Sequence, residues 1–369
     1  MSGKEMKYIE EAFANNHVFP LGPNVTGLEQ DLKVYIGVEG VSCLSSGTAA
    51  IHLALIMLGV QRADEVICQS FTFSASVNPI LYQGATPVFV DSEPGTWNMD
   101  PKLLVEAIKD RIKKGKRPKA IILVHLYGMP AMMDEIMAIS KKYEIPIIED
   151  AAEALGSTYN GQKCGSFGEI GILSFNGNKI ITTSGGGALI SNNEEYCQKA
   201  IFLATQARDD APHYQHSEIG YNYRMSNISA GIGRGQMEVL QERIDKRREN
   251  YHYYRDQLVT RNAQHVTFQE EPSDQYFSNH WLTALTINSE LTGGITKEDV
   301  RLALAERNIE SRPLWKPMHL QPIFKDYPAY TNGVSEKLFE TGLCLPSSSN
   351  ITNEERKFVA ESLLEILNP

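Results

Sequence analysis

One lysine in this chain lies in a stretch of small and neutral residues that suits covalent chemistry. Lys179 follows an apolar run that ends in Ser174, and two Thr, a Ser and three Gly come after it. An amine among apolar and small groups loses its proton more readily, which a Schiff-base lysine requires. A surface lysine in a glycine-rich turn is the ordinary alternative, since lysines are mostly exposed. The stretch 171–187 alone leaves both interpretations open.

Two nearby kinds of residue suit an anion such as phosphate. The Ser174 hydroxyl can donate a hydrogen bond, and flexible glycine backbone can wrap around an anion. In Ser46-Gly47-Thr48 a helix pattern opens directly after a strand pattern. Free N–H groups and the helix dipole make such a start an anion site. A simple N-cap by Ser or Thr is the commoner use, but Gly47 permits close backbone approach and therefore favours phosphate.

Three further side chains are candidates for the same site. Asp150 ends an apolar strand, where a buried carboxylate needs a cation or several donors. Asp150 could cap a helix or form a structural ion pair. Alternatively, it could keep a pyridinium nitrogen protonated so that the ring withdraws electrons. Phe71 and Phe73 follow another strand; one could lie on a cofactor ring, although such pairs are usually core. For His125 we favour a core histidine over a general base, because Lys179 is already the candidate for proton transfer.

Together these residues supply a phosphate site, a partner for a ring nitrogen, a stacking aromatic ring and a Schiff-base lysine. That set is what pyridoxal 5'-phosphate (PLP) requires. Competing motifs are absent: the sequence contains no Gly-x-x-x-x-Gly-Lys-Ser/Thr, no His-Glu-x-x-His and no Gly-x-Ser-x-Gly.

The elements that must position these residues are read from the apolar pattern. Continuous apolar runs alternate with helix patterns, which predicts a mostly parallel sheet covered by helices on both faces. Ligands in such sheets bind at the carboxyl ends of the strands. Four regions each follow a predicted strand and should therefore converge on one cleft: Ser46, His125, Asp150 and the loop around Lys179. The predicted strands are 41–44, 66–68, 86–91, 120–124 and 145–150, and the predicted helices are 5–15, 49–58, 101–114 and 131–143.

The second half of the chain has a different character. A long charged helix is predicted over 236–258, and the pattern after it predicts strands at 281–287 and 309–314 and helices at 296–307 and 353–367. A chain of 369 residues usually divides into two cores. We therefore predict a large α/β domain that binds PLP over residues 1–239 and a smaller α+β domain over residues 240–369.

Composition restricts the class of protein. With 42% hydrophobic and 22% charged residues and no run of about 18 apolar residues, we expect no membrane span. No secretory leader is apparent at Met1. Five scattered cysteines without a Cys-x-x-Cys pair indicate neither a disulfide framework nor a metal site, and reduced cytoplasm fits best. The net charge of −10 argues against a nucleic-acid partner, and the basic run 113–119 is predicted to be a solvated helix end.

Eight ordered motifs over nearly the whole chain resemble the DegT-type sugar aminotransferases, which have the fold type I architecture of aspartate aminotransferase and act as homodimers. The motifs are Ser46-Gly-Thr-Ala-Ala-Ile-His-Leu-Ala-Leu55, Ser70-Phe-Thr-Phe73, Gly84-Ala-Thr-Pro-Val-Phe-Val-Asp91, His125-Leu-Tyr-Gly128, Ile148-Glu-Asp-Ala-Ala152, Ser174-Phe-x-x-x-Lys179, Asn222-Tyr-Arg-Met225 and Leu343-Cys-Leu-Pro346.

The resemblance implies a role for each matching residue. Lys179 forms the Schiff base with PLP, and Asp150 pairs with the pyridine nitrogen. Phe73 stacks on the ring. Asn222 reaches the phosphate of the neighbouring subunit's cofactor, so the active sites of a homodimer are shared. The phosphate contacts within one chain are Gly47, Thr48 and Ser174.

Two positions depart from the family pattern. Glu153 stands where the family usually has Gln or His beside the ring, and Gln69 replaces a usual Pro. Both departures occur in a closer subgroup that resembles transaminases making UDP-linked diamino sugars of the N-acetylbacillosamine kind. That subgroup shares the stretches 176–187 and 312–319 with this chain.

This resemblance implies a UDP-4-keto-6-deoxy-N-acetylhexosamine aminated at C4, with glutamate as a natural donor, for surface polysaccharide or glycan. A dTDP or GDP sugar and a non-catalytic regulatory protein are the alternatives. A dehydratase ranks below them, because that branch has His at the position of Lys179. Candidate substrate contacts are Asn178 and Glu153 near the ring, and Arg312, Trp315, Lys316 and His319 for the diphosphate and the base.

Overall fold

The computed structural model describes residues 1–262 and 265–368. Its helices are α1 Glu5–Ala14, α2 Pro23–Ile36, α3 Gly47–Met57, α4 Asn78–Tyr82, α5 Pro101–Lys113, α6 Met133–Tyr143, α7 Glu194–Ala204, α8 Asn227–Met237, α9 Leu240–Asn262, α10 Lys297–Glu306, α11 Val334–Thr341 and α12 Asn353–Leu367. Within the described residues, none of these helices has the length and apolar composition needed to cross a bilayer.

The strands form three sheets. They are β1 Gly40–Leu44, β2 Glu65–Gln69, β3 Thr86–Val90, β4 Ala120–Val124, β5 Ile147–Asp150, β6 Thr158–Tyr159, β7 Gln162–Lys163, β8 Ile170–Ser174, β9 Gly187–Ser191, β10 Val266–Phe268, β11 Tyr276–Phe277, β12 Thr283–Ile287, β13 Arg312–Pro313, β14 Ala329–Tyr330 and β15 Gly342–Leu345.

The largest sheet is the predicted α/β sheet. It has eight strands in the order β1-β9-β8-β5-β4-β2-β3-β14, and only β9 runs antiparallel to its neighbours. The central strands β2, β4 and β5 consist of buried residues, as strands covered on both faces should. The carboxyl ends of β4, β5 and β8 therefore meet at one edge, where Asp150 and Ser174 end their strands.

A second sheet lies in the C-terminal part of the chain. Its order is β10-β12-β15-β13, all antiparallel, and α9, α10 and α12 pack on it through one apolar core. The short strand β14 nevertheless joins the edge of the first sheet by pairing with β3. The division of the chain into domains at residues 239 and 240 stays a prediction.

Several predicted elements differ from the structure at their ends. Helix α2 was not predicted, because Phe19-Pro-Leu-Gly-Pro23 reads as a break. Pro23 instead occupies the first turn, where its missing N–H costs nothing. Of the strand predicted at 309–314, only Arg312–Pro313 pairs with β15. The predicted long helix begins at Leu240 and not at residue 236, because α8 ends just before it.

Candidate active site

A cavity of about 1240 Å³ opens at the carboxyl ends of the central strands and extends beneath the second sheet. Of the regions predicted to converge, those at Ser46, Asp150 and Lys179 line this cavity together, whereas His125 is not among the lining residues. The predicted site residues that line it are Gly47, Thr48, Phe73, Asp150, Glu153, Ser174, Asn178, Lys179, Arg312 and Trp315.

The carboxylate of Asp150 projects into this cavity from the end of β5. The residue is 5% exposed. One oxygen accepts a hydrogen bond from Ser76 Oγ at 2.7 Å, and the other accepts the Ala152 N–H at 3.1 Å. Neither donor carries a charge, so a cationic group in the cavity would complete the environment of a buried carboxylate. A protonated pyridine nitrogen is such a group.

The start of α3 forms a concave backbone surface beside β8 and β9. Ser46 caps the helix by accepting the Ala49 N–H at 3.0 Å, so the simple N-cap is realised at Ser46. Gly47 and Thr48 follow as the first helical residues, with N–H groups that no preceding helical turn can satisfy. A Cβ at Gly187 would lie 2.4 Å from the backbone nitrogen of Gly47. The backbones therefore approach too closely for a side chain at residue 187. The N–H groups at the start of α3 lie beside Ser174, and this combination suits a phosphate.

Lys179 lies between a carboxylate and an indole ring. Its Nζ is 3.4 Å from Glu153 Oε1 and 4.2 Å from the centroid of the Trp281 ring. The second oxygen of Glu153 accepts the Tyr127 N–H at 2.7 Å. Burial raises the pKa of Glu153 to about 7, while the charge of Lys179 opposes that rise. The neutral setting read from the local sequence is therefore wrong in three dimensions, since Glu153 is 26 residues away in the chain.

Aromatic side chains form one wall of the cavity. Phe73 is 55% exposed and lines it, whereas Phe71 is fully buried in the core, so Phe73 is the ring available for stacking. Its centroid lies 5.5 Å from that of Trp315. The backbone N–H of Trp315 donates to Tyr127 Oη at 3.0 Å. The local sequence carries no functional signal for Tyr127, which lies within the motif His125-Leu-Tyr-Gly128, or for Trp281, which begins a predicted strand.

Only some of the predicted substrate contacts line the cavity. Arg312 stands at the mouth of the cavity with its side chain 78% exposed, and it pairs with Glu310 at 2.5 Å. The backbone oxygen of Asn178 accepts the indole N–H of Trp281 at 2.7 Å. Asn178 and Trp315 line the cavity as well.

Lys316 and His319 lie outside the residues that line the cavity. Lys316 is exposed. The Nδ1 of His319 lies 2.6 Å from Ser70 Oγ, and its Nε2 lies 3.1 Å from Glu336. Both ring nitrogens are thus engaged by protein groups, and the sequence carries no signal of these distant partners.

Asn222 also lies outside this chain's own cavity. It is exposed, and its backbone forms a bridge with Thr205 on the surface. An exposed position away from the cavity is what a residue reaching a second subunit's site would show. A role for Asn222 in a second subunit's site is considered below as a proposal.

His125 is a buried residue of the core. Its Nδ1 accepts the Ala131 N–H at 3.1 Å, and its Nε2 lies 2.7 Å from Glu149. Glu149 also accepts backbone N–H groups from the loop at residues 165–168. Among the described residues, Cys164 completes a group of three potential metal ligands with these two. The carboxylate is already saturated with donors, so the cluster holds the loop to β5.

The fold and the site together define an aminotransferase that depends on PLP. A sequence model of the DegT/DnrJ/EryC1/StrS aminotransferase family matches residues 1–364. The chain belongs to this family, whose members are PLP-dependent sugar aminotransferases, and it is an enzyme of that class.

Three comparisons illustrate the likeness. The chain is 52% identical to "Putative pyridoxal phosphate-dependent aminotransferase EpsN" of Bacillus subtilis (strain 168), over 100% of this chain and 94% of that protein. It is 36% identical to the GDP-perosamine synthase of Escherichia coli O157:H7, over 99% of this chain and 96% of that protein. A DegT DnrJ EryC1 StrS aminotransferase from Brucella abortus superposes with a TM-score of 0.92 at 28% identity, covering 100% of this chain and 96% of that one.

Proposed function

We propose that this enzyme transfers the amino group of glutamate to C4 of a nucleotide-linked 4-keto-6-deoxy sugar, UDP-4-keto-6-deoxy-N-acetylglucosamine, for a surface polysaccharide or glycan. The observation that carries this proposal is the Lys179 amine, enclosed with the Asp150 carboxylate in one cavity that is large enough for a nucleotide sugar. We place it in reduced cytoplasm, because all five cysteines are free thiols.

Each residue of the site has a part in this reaction. PLP, when bound, supplies the electron sink that lets a carbon–hydrogen bond next to nitrogen break. Asp150 would hold the ring nitrogen in its protonated form. Phe73 would cover one face of the ring. Lys179 would take the proton from the reacting carbon of the substrate and return it at the other end of the transfer. The phosphate would be held by Gly47, Thr48 and Ser174.

Glu153 is placed to assist the lysine. It lies 3.4 Å from Lys179 Nζ, and its raised pKa of about 7 allows it to exist with or without its proton near neutral pH. A carboxyl group of this kind can hold the proton that leaves the amine and can position the amine by a hydrogen bond. Its contact with the Tyr127 N–H keeps the carboxyl group oriented toward Lys179.

The substrate is tested by a panel of UDP-, dTDP- and GDP-linked 4-keto-6-deoxy sugars. We expect mass spectrometry to show that the UDP sugar is aminated at C4 while glutamate becomes 2-oxoglutarate. The name of one relative, GDP-perosamine synthase, makes a GDP sugar the main competing substrate. Preference for the GDP sugar in this panel would contradict the choice of UDP. Amination of non-nucleotide ketones only would contradict a nucleotide sugar, and no amination at all would favour a regulatory protein.

We also propose that two copies of the chain share their active sites. Large apolar side chains are exposed in two segments of the chain, one on and after α1 and the other in the loop that precedes Asn222. They are Phe13, Phe19, Leu21, Tyr214 and Ile219. Exposed apolar groups of this size are typical of an interface. The loop after α1 is bound to Asn227, since Asn227 Nδ2 donates to the His17 carbonyl at 2.7 Å.

Mixing two inactive variants tests the sharing of sites. Homodimers of Lys179→Ala lack the amine, and homodimers of Asn222→Ala should bind PLP weakly. In a mixed dimer, one site would combine an intact Lys179 with an intact Asn222 from the other chain. Each mixed dimer should show about half of the activity of an unaltered dimer, so an equimolar mixture that exchanges fully should show about a quarter. Activity that does not exceed the sum of the separate variants would show that Asn222 acts within its own chain or not at all.

A further inference from the structure

Two arginines on one face of α9 line the cavity beside the C-terminal sheet. Arg243 and Arg247 are four residues apart, so their side chains are neighbours on the helix surface. Two like charges at this spacing repel each other. The sequence pattern carries no functional signal for either residue. Both lie in a long helix rich in Arg and Glu, where a solvated charged face is the usual interpretation.

Arg247 is buried, and no carboxylate among the described residues pairs with it. It is 7% exposed. Its Nη1 donates to the carbonyl oxygens of Trp281 and Ser347, both of which are neutral. Its Nε has no hydrogen-bond partner in the described part of the chain. Burial, and then the like charge of Arg243, lowers the pKa of Arg247 to about 10. The group is still charged at neutral pH, and an uncompensated buried charge is costly.

The contacts of Arg243 are neutral as well. Its Nη2 donates to the Met1 carbonyl at 2.9 Å, and its Nη1 lies 3.5 Å from Ser349 Oγ. Elsewhere in the cavity the cations are matched by carboxylates: Lys179 pairs with Glu153, and Arg312 with Glu310. The wall formed by α9 therefore carries positive charge that the nearby protein groups leave uncompensated.

We propose that Arg243 and Arg247 form an oxyanion subsite, which binds either a carboxylate of the amino donor or a phosphate of the nucleotide sugar. This rests on the proposed function. Guanidinium groups bind carboxylate and phosphate through paired hydrogen bonds. Arg247 donates to the backbone of Trp281, the residue whose ring lies 4.2 Å from Lys179 Nζ. The subsite is thus coupled to the position of the reacting amine, and it is separate from Arg312 at the mouth of the cavity.

The test compares four variants of the PLP-loaded enzyme. Arg247→Gln and Arg243→Gln remove one charge each. Arg247→Lys keeps the charge and a donor for the backbone carbonyls, in case Arg247→Gln does not fold. Arg255→Gln is the matched control, because Arg255 lies on the same helix, pairs with Glu270 at 2.7 Å and is not among the residues that line the cavity.

Two probes distinguish the sources of the anion. Glutamate is titrated in the first half of the reaction, followed by the change in cofactor absorbance. Inorganic pyrophosphate binding is measured by calorimetry, which needs no turnover and therefore remains informative if the enzyme does not aminate sugars. We expect Arg247→Gln to weaken binding of one probe by at least about tenfold, with a smaller loss for Arg243→Gln and Arg247→Lys and a change below twofold for Arg255→Gln.

If only glutamate binding is weakened, the subsite binds a carboxylate of the amino donor. If only pyrophosphate binding is weakened, it binds the diphosphate of the nucleotide sugar. If Arg243→Gln and every Arg247 variant that folds with normal cofactor absorbance, Arg247→Gln above all, bind both probes within twofold of the unaltered protein, the subsite does not exist. An unaltered enzyme that binds pyrophosphate but aminates no ketone would overturn the proposed function and leave this subsite standing.

Discussion

Lys179→Ala is expected to lower the rate of amino transfer by at least about 10³-fold, because the variant loses both the Schiff-base amine and the group that moves the proton. The lysine lies beside Glu153 and Trp281 in the cavity, and no other lysine is among the residues that line it. The measurement is the rate at which the loaded enzyme converts glutamate to 2-oxoglutarate in a single turnover. Borohydride reduction followed by mass spectrometry should label the unaltered chain with cofactor at residue 179 and leave the variant unlabelled.

Lys163 offers a matched control for this experiment. It is half-buried, its Nζ lies 4.6 Å from the centroid of the Tyr35 ring, and it is not among the residues that line the cavity. Lys163→Ala therefore removes an amine from a similar aromatic contact. It should keep the borohydride label and activity within about twofold. A Lys179→Ala protein that retained full transamination activity would contradict the assignment of Lys179 as the catalytic lysine.

Asp150→Asn is expected to lower the same rate by about 10²- to 10⁴-fold while PLP remains bound. An amide cannot balance the charge of a protonated pyridine nitrogen, so the ring would withdraw electrons less strongly. The side chains are nearly the same size, and Asn can still accept the Ala152 N–H at its Oδ1, while its amide N–H can donate to Ser76 Oγ. The measurement pairs the single-turnover rate with the cofactor content of each protein, because a loss of rate at full cofactor content isolates the electronic effect.

The control for this change is Asp134→Asn. Asp134 is an exposed carboxylate on α6 that accepts a hydrogen bond from Tyr159 Oη at 2.9 Å, outside the residues lining the cavity. The Asp134→Asn variant should keep a single-turnover rate within about twofold of that of the unaltered enzyme. If Asp150→Asn retained more than about a tenth of the activity at full cofactor content, Asp150 would be a structural residue and the partner of the ring nitrogen would have to be sought elsewhere.

Local sequence was sufficient for strands β1 to β5 of the large sheet and for the residues suited to a cofactor, but it did not predict β9 or β14. Buried strands such as β4 and β5 are continuous apolar runs, and their meaning does not depend on any distant residue. Lys179, Asp150 and the start of α3 each carry a recognisable pattern of type and spacing. Because parallel strands end at one edge of a sheet, their convergence could be predicted as well.

Side-chain partners could not be predicted in this way. Lys179 reads as an amine in neutral surroundings, yet the fold places Glu153 and Trp281 against it. His319 reads as a substrate contact, yet Ser70, 249 residues away in sequence, engages its ring. Such contacts depend on how the loops of the second sheet dock over the strand ends, and periodicity contains no information about that docking.

The sequence by itself therefore determined the fold class, the cofactor and the residues suited to hold it. Only the tertiary structure decided which charges are compensated: Arg312 is paired at the surface, while Arg247 is buried among neutral carbonyls. The physical reason is that burial and electrostatic pairing depend on distances in space between residues far apart in the chain, whereas secondary structure follows from residues close together in it.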